Sequence, residues 1–212
     1  LYCIKSQFAV IRDFGVERAI ATLTEVNEVK DLGVVGIGIG GSEHEFPPEP
    51  FASVYDKARQ LGLHTNAHAG EAAGAESIWG AIRSLRVDRI GHGTRAQEDE
   101  SLLDYLAERQ IPLEMCPLSN LRTKVVPSLE VHPIRCYFER NIAVTVNTDD
   151  PKMFDNSLAE EYQLLEEKLG FSRNEIRRLI LQGIRSSWQS EEKKQDLIAS
   201  FCCDKVWLEE TA

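Results

Sequence analysis

"NAHAGE", residues 66–71, decides the fold. A strand ends on His68, and only Ala69 and Gly70 separate it from the acid Glu71, where a helix takes over. In parallel α/β folds the loops at the C-terminal ends of the strands form the mouth of the sheet or barrel, so an imidazole and a carboxylate there face a common space. The chain repeats this unit. Short β-branched runs stand at "FAVIR" 8–12, "VVGIG" 34–38, "HTNAH" 64–68, "RIGH" 89–92, "IPLEM" 111–115 and "IAVTVN" 142–147. Between them lie amphipathic stretches: Phe51, Val54, Tyr55, Ala58 and Leu61 follow one-faced helical spacing, as do Ile176, Leu179, Ile180, Gly183 and Ile184. Ser172 with Glu175 predicts a capping box that opens the second of these helices.

Strand, helix, strand at intervals of about 20 to 30 residues is the signature of parallel βα units. The fold class expected is α/β, a parallel (β/α) barrel of TIM type with about six of its eight units and with C-terminal helices. Residues 1–212 are read as a single partial-barrel domain. Six strands leave two unpaired edges, where a closed barrel leaves none. "EFPPEP" at 45–50 reads as a stiff loop ahead of a helix, and the charged tail from Ser190 to Ala212 as helical.

Bulk properties narrow the function. With 24 basic against 34 acidic residues, the net charge of −10 repels nucleic-acid backbones and anionic lipid alike. No apolar run approaches the roughly 20 residues of a membrane helix, and the N-terminal residues lack a signal-peptide layout, so a cytoplasmic location is expected. The five cysteines, Cys3, Cys116, Cys136, Cys202 and Cys203, form no C-x-x-C pair and read as reduced thiols. Cys116, with neither a histidine nor a helix start beside it in sequence, reads as a buried structural thiol.

Four of the six strands end in polar groups: "GIGGSE" with Gly40 and Gly41, "NAHAGE", "RIGHG" with His92, and "VNTDDP" with Asp149 and Asp150. Singly, each has a plain explanation, since a strand-end histidine is commonly a hydrogen-bonded structural residue and aspartates before a proline cap helices. Jointly they form the pattern a metal hydrolase needs. Imidazole and carboxylate suit Zn²⁺, which lowers the pKa of bound water to about 7. His68 and Asp149 are the candidate ligands, and Asp149 could also take the water's proton. His92 would orient the hydroxide, and Glu71 would donate a proton to a ring nitrogen.

These motifs together resemble the adenosine deaminase family, the purine aminohydrolases of the amidohydrolase superfamily. The resemblance is carried by "HAGE" 68–71, "RIGHGTRA" 89–96, "CPLSN" 116–120 and "NTDDP" 147–151, in the family's order, and spans about residues 8 to 190. It implies hydrolytic deamination of a 6-aminopurine to the 6-oxo product and ammonia. By it, His68 and Asp149 are zinc ligands, Glu71 protonates purine N1 and His92 positions the attacking hydroxide. Asp150 bonds N7, and the Gly41 amide bonds N3.

Family members carry two further zinc ligands in a His-x-His motif on the first barrel strand, and this sequence has none. His44, His64 and His132 read as solvated or structural. The chain therefore resembles the C-terminal two-thirds of a deaminase, with weak zinc binding and little activity expected of this segment alone. The alternative is a catalytically incomplete partial barrel that acts by pairing its edges with a second copy or a complementing chain. Ser42 stands where adenosine-deaminating members commonly have aspartate, and "EFPPEPF" is similar to a segment of adenine-deaminating relatives, so adenosine, adenine and larger nucleosides all stay open. A phosphodiesterase on a similar barrel is disfavoured by the absence of clustered Lys or Arg at the strand ends. Cytidine-type deaminases are excluded, since H-x-E with P-C-x-x-C is missing.

Overall fold

The computed structural model describes residues 6–204 and Trp207. Six strands, β1 (Ser6–Ile11), β2 (Val34–Gly40), β3 (His64–Ala69), β4 (Arg89–His92), β5 (Leu113–Met115) and β6 (Val144–Val146), form one sheet in chain order. Every neighbouring pair is parallel. Each strand lies where the β-branched runs predict it, with ends moved by no more than two residues.

Helices α1 (Gly15–Glu28), α2 (Ala52–Gln60), α3 (Ala75–Gly80), α4 (Glu100–Arg109), α5 (Pro117–Arg122) and α6 (Ile134–Glu139) fill the gaps between strands. After β6 come α7 (Pro151–Phe154), α8 (Leu158–Leu169), α9 (Arg173–Ser186) and α10 (Glu191–Cys202). The capping box on α9 forms as the sequence predicts, Ser172 and Glu175 each satisfying the other's backbone N–H. This is the βα repeat of a (β/α) barrel, six units long.

The two faces of β2 show how the sheet is built. Ile37 and Ile39 point outward and are fully buried in a core shared with Leu23 and Val26 of α1 and Val54, Tyr55 and Ala58 of α2. Gly36, Gly38 and Gly40 point inward, where space is short at Gly36 and Gly38 and ordinary contact remains at Gly40. A Cβ on Gly36 would lie 2.6 Å from the Trp188 ring, one on Gly38 3.2 Å from Asn66, and one on Gly40 3.6 Å from His68. The interior is therefore filled from β3 and its neighbours. Below the mouth it is polar: Arg89 Nη1 lies 3.2 Å from Glu114, whose carboxylate also accepts from the Asn66 amide.

Among the described residues the sheet is open, ending on β1 and β6, which do not pair with each other. β6 is buried along its length and covered by α9. β1 is exposed at every position but Val10, and Phe8 and Ile11 keep 42% and 41% of their surface in solvent. No helix among the described residues is long and apolar enough to cross a membrane. Cys116, Cys136, Cys202 and Cys203 are free thiols, while Cys3 lies outside the described residues.

Candidate active site

His68 and His92 reach the mouth from adjacent strands. In the β3–β4 ladder His68 pairs with Gly91, one residue before His92. Gly91 makes the arrangement possible, because a Cβ there would lie 2.6 Å from His68 Cδ2. The two imidazoles meet edge to face with centroids 4.7 Å apart. His92 and Asp149 both adopt left-handed backbone, φ 62° and 58°, which costs an ordinary L-residue about 1 kcal/mol or more and is held only where surroundings over-determine it.

His92 Nε2 lies 3.3 Å from a Glu71 carboxylate oxygen and 3.9 Å from Asp149 Oδ2. The Ser119 hydroxyl donates to that same Asp149 oxygen at 2.7 Å. Three residues expected from the sequence, His68, Glu71 and Asp149, thus each meet the fourth, His92. The pocket of about 370 Å³ that His68, His92 and Asp149 line is also lined by Gln7, Cys116, Asn147 and Leu158, with Glu71 outside its lining. A larger cavity of about 570 Å³ lies between α9 and α10, but it has neither imidazole nor thiol in its lining.

Burial sets the protonation states. It holds the His68 imidazole below its usual range and His92 down to about 3, so both are neutral near pH 7. Burial, with the nearby Asp149 and Glu43 charges adding to it, raises the Glu71 carboxyl to about 7. Cys116 does stand at a helix start, capping α5, contrary to the sequence reading, but burial pushes its thiol far up, which keeps it inert.

Donor atoms of His68, Glu71 and His92 lie within 4.8 Å of one another, as do those of His92, Cys116 and Asp149. Neutral imidazoles beside a carboxylate fit a divalent metal of borderline softness.

Gly41 and Asp150 stand outside this cluster. Gly41 follows β2 at φ 101°, and a Cβ on it would lie 2.0 Å from Asp13 Oδ2. Asp13 accepts from the Ser42 amide at 2.9 Å and from its hydroxyl at 2.6 Å. Asp150 is exposed, and its Oδ1 accepts from the amides of Lys152 and Met153, the helix-capping arrangement noted as the plain reading of "TDDP".

Several residues that hold the site have no assignment in the sequence reading. Glu43, 3% exposed, accepts from the amides of Gly70, Glu71, Ala72 and Ala73, so one carboxylate organises the whole turn after β3. Arg12 is fully buried and donates to the carbonyls of His68, at 2.6 Å, and Phe46, at 2.9 Å. Asn120 Nδ2 lies 3.1 Å from His92 Nδ1, and Asn120 Oδ1 lies 3.2 Å from His132 Nε2. The one available signal was position: Glu43 and Arg12 follow strand ends, and Ser119 and Asn120 close the "CPLSN" motif. His132 is structural, as expected, but buried rather than solvated. His44 is exposed, and His64 stacks on Trp188 at 4.9 Å.

Residues 3–202 match the sequence model of the adenosine deaminase family. An adenosine deaminase of Klebsiella pneumoniae (strain 342) is 42% identical over 166 residues, which cover 78% of this chain and 50% of that protein. The solved structure of adenine deaminase from Arthrobacter aurescens superposes with a TM-score of 0.87 at 35% identity, covering 91% of this chain and 59% of the other. An amidohydrolase from Burkhoderia ambifaria, solved with bound zinc, has a TM-score of 0.84 at 29% identity, covering 95% and 55%. The chain spans about half the length of the curated relatives it matches.

Proposed function

The chain belongs to the adenosine deaminase family, and from that premise we propose that its strand-end cluster serves the hydrolytic deamination of an adenine-type purine. The observation that carries this is the meeting of His68, Glu71, His92 and Asp149 at one mouth of the sheet.

His68 and Asp149 would hold Zn²⁺, with two further histidines supplied from outside the residues of this chain. When bound, the metal supplies an acidified water at neutral pH. Asp149 accepts a proton from the attacking water, and the Ser119 hydroxyl fixes which carboxylate oxygen faces it. His92, set between Glu71 and Asp149, stabilises charge developing at the purine C6. Glu71, raised to about 7 by burial, is protonated in about half of the molecules at pH 7 and delivers its proton to N1. Ammonia leaves from C6 and the 6-oxo purine remains.

Asp150, whose second carboxylate oxygen is free of the cap, would meet N7, and the Gly41 amide would meet N3. With N3 at the Gly41 amide, the adjacent Asp13 carboxylate would offer an acceptor on the N9 side of the ring. A free base carries a proton on N9 and a nucleoside carries a sugar, so this acceptor favours adenine over adenosine.

Ammonia release from a panel of 6-aminopurines, measured on the zinc-loaded full-length protein, tests the reading. Adenine is expected to lead the panel, and Glu71→Gln is expected to lower kcat by about 10² to 10⁴. A Glu71→Gln protein with unaltered turnover would sink the assignment.

The second reading is a partial barrel that works by association with another chain. It is favoured by the exposure of Phe8 and Ile11 on the β1 edge.

A further inference from the structure

The "CPLSN" motif contributes more than Ser119. Its Asn120 and the buried His132 form a chain of hydrogen bonds to His92 whose direction is fixed from one end. The Ile134 backbone N–H donates to His132 Nδ1 at 3.2 Å. A backbone amide can only donate, so His132 Nδ1 carries no proton, and the neutral ring must carry its proton on Nε2. That Nε2–H donates to Asn120 Oδ1 at 3.2 Å. Accepting there turns the amide so that its NH₂ donates to His92 Nδ1 at 3.1 Å. A ring that accepts at Nδ1 and is neutral presents Nε2–H, and His92 Nε2 faces the carboxylates of Glu71 at 3.3 Å and Asp149 at 3.9 Å. Every link is satisfied in one direction and in no other.

We propose that Asn120 and His132 are positioning residues that lock His92 in its Nε2–H tautomer, so that His92 is a hydrogen-bond donor in the pocket and not a metal ligand. The consequence reaches the metal site. His92 is a member of both candidate ligand groups by distance alone, yet a protonated Nε2 has no lone pair to offer a cation, and its Nδ1 is occupied by Asn120. This agrees with the ligand pair that the family resemblance implies, His68 and Asp149, in which His92 has no part. The tautomer does not rest on the deaminase reading; only its use toward a purine does.

The tautomer is read directly by NMR of the chain labelled with ¹⁵N-histidine, correlating the carbon-bound ring protons with both ring nitrogens at neutral pH. His92→Gln and His132→Gln spectra supply the assignments. Both His92 and His132 are expected to show a protonated Nε2 and an unprotonated Nδ1. In Asn120→Asp the carboxylate can only accept, so Nδ1 of His92 is expected to gain a proton. In His132→Ala the amide loses its fixed orientation, and the His92 signals are expected to move toward a mixture of tautomers. An Nδ1–H His92 in the unsubstituted chain overturns the proposal, as does a folded Asn120→Asp chain whose His92 Nδ1 stays bare. If Asn120→Asp does not fold, the unsubstituted spectrum and His132→Ala still decide. None of these readings depends on turnover, so inactivity toward purines would count against the function alone.

Discussion

At the scale of single residues, the site is held by groups that bind backbone as much as by groups that face the pocket. His132 illustrates the cost. Its imidazole is 4% exposed, and burial lowers it from 6.5 to about 4. Between those values the unfolded chain binds a proton that the folded chain refuses, so stability rises with pH across the window and is level above it. Folding is expected to lose about 2 kcal/mol through this group between pH about 7.5 and pH about 5. His132→Gln keeps an acceptor for Ile134 and a donor for Asn120 but does not titrate. Urea unfolding at the two pH values should therefore show a smaller pH difference in the variant. The residual combines the losses at His68 and His92 with an opposing gain at Glu71, whose raised carboxyl takes up a proton in the folded chain over the same window. Equal differences in the two proteins would show that His132 is not buried neutral.

At the scale of elements, the fold was legible because each strand writes itself in β-branched residues bounded by turns, and a parallel sheet buried on both faces tolerates little else. The four pocket-facing residues were legible for the same reason, each sitting at or just beyond a strand's C-terminal end. Glu43, Arg12 and Asn120 were not, since their partners are backbone groups and imidazoles 12 to 56 residues away in sequence, and no periodicity records that. The role of glycine lies between these cases. "VVGIGIG" displays its alternation openly, but only the structure shows that the bare face exists to admit Asn66 and His68. Gly91 is the sharpest instance. Gly91→Ala would put a methyl 2.6 Å from His68 Cδ2. The expected result is a loss of about 1 to 3 kcal/mol, as for overpacking, and a displaced His68. Thermal unfolding together with the His68 ring signals would check it. An unchanged His68 spectrum in a fully stable variant would mean that the interior is looser than these contacts imply.

At the scale of the whole molecule, the sheet has unequal edges, and the inequality has a consequence. β6 is buried and packs near α9, whereas β1 is exposed at every position but Val10 and, among the described residues, pairs on one side only, flanked by exposed Phe8, Ile11 and Phe14. An uncharged edge of this kind is a template for another strand. In a full-length relative such an edge would be covered by sheet; in this 212-residue segment studied alone, it is expected to be covered by association. Light scattering over a concentration series should show the segment moving from monomer to dimer or beyond. Phe8→Lys, which places a charge on the open edge without touching the site cluster, should return it to monomer. The net charge of −10 opposes association at long range, so added salt should strengthen it, the reverse of an assembly held by ion pairs. A segment that stays monomeric at every concentration and salt would remove the association reading, leaving the strand-end chemistry as the sole basis for function.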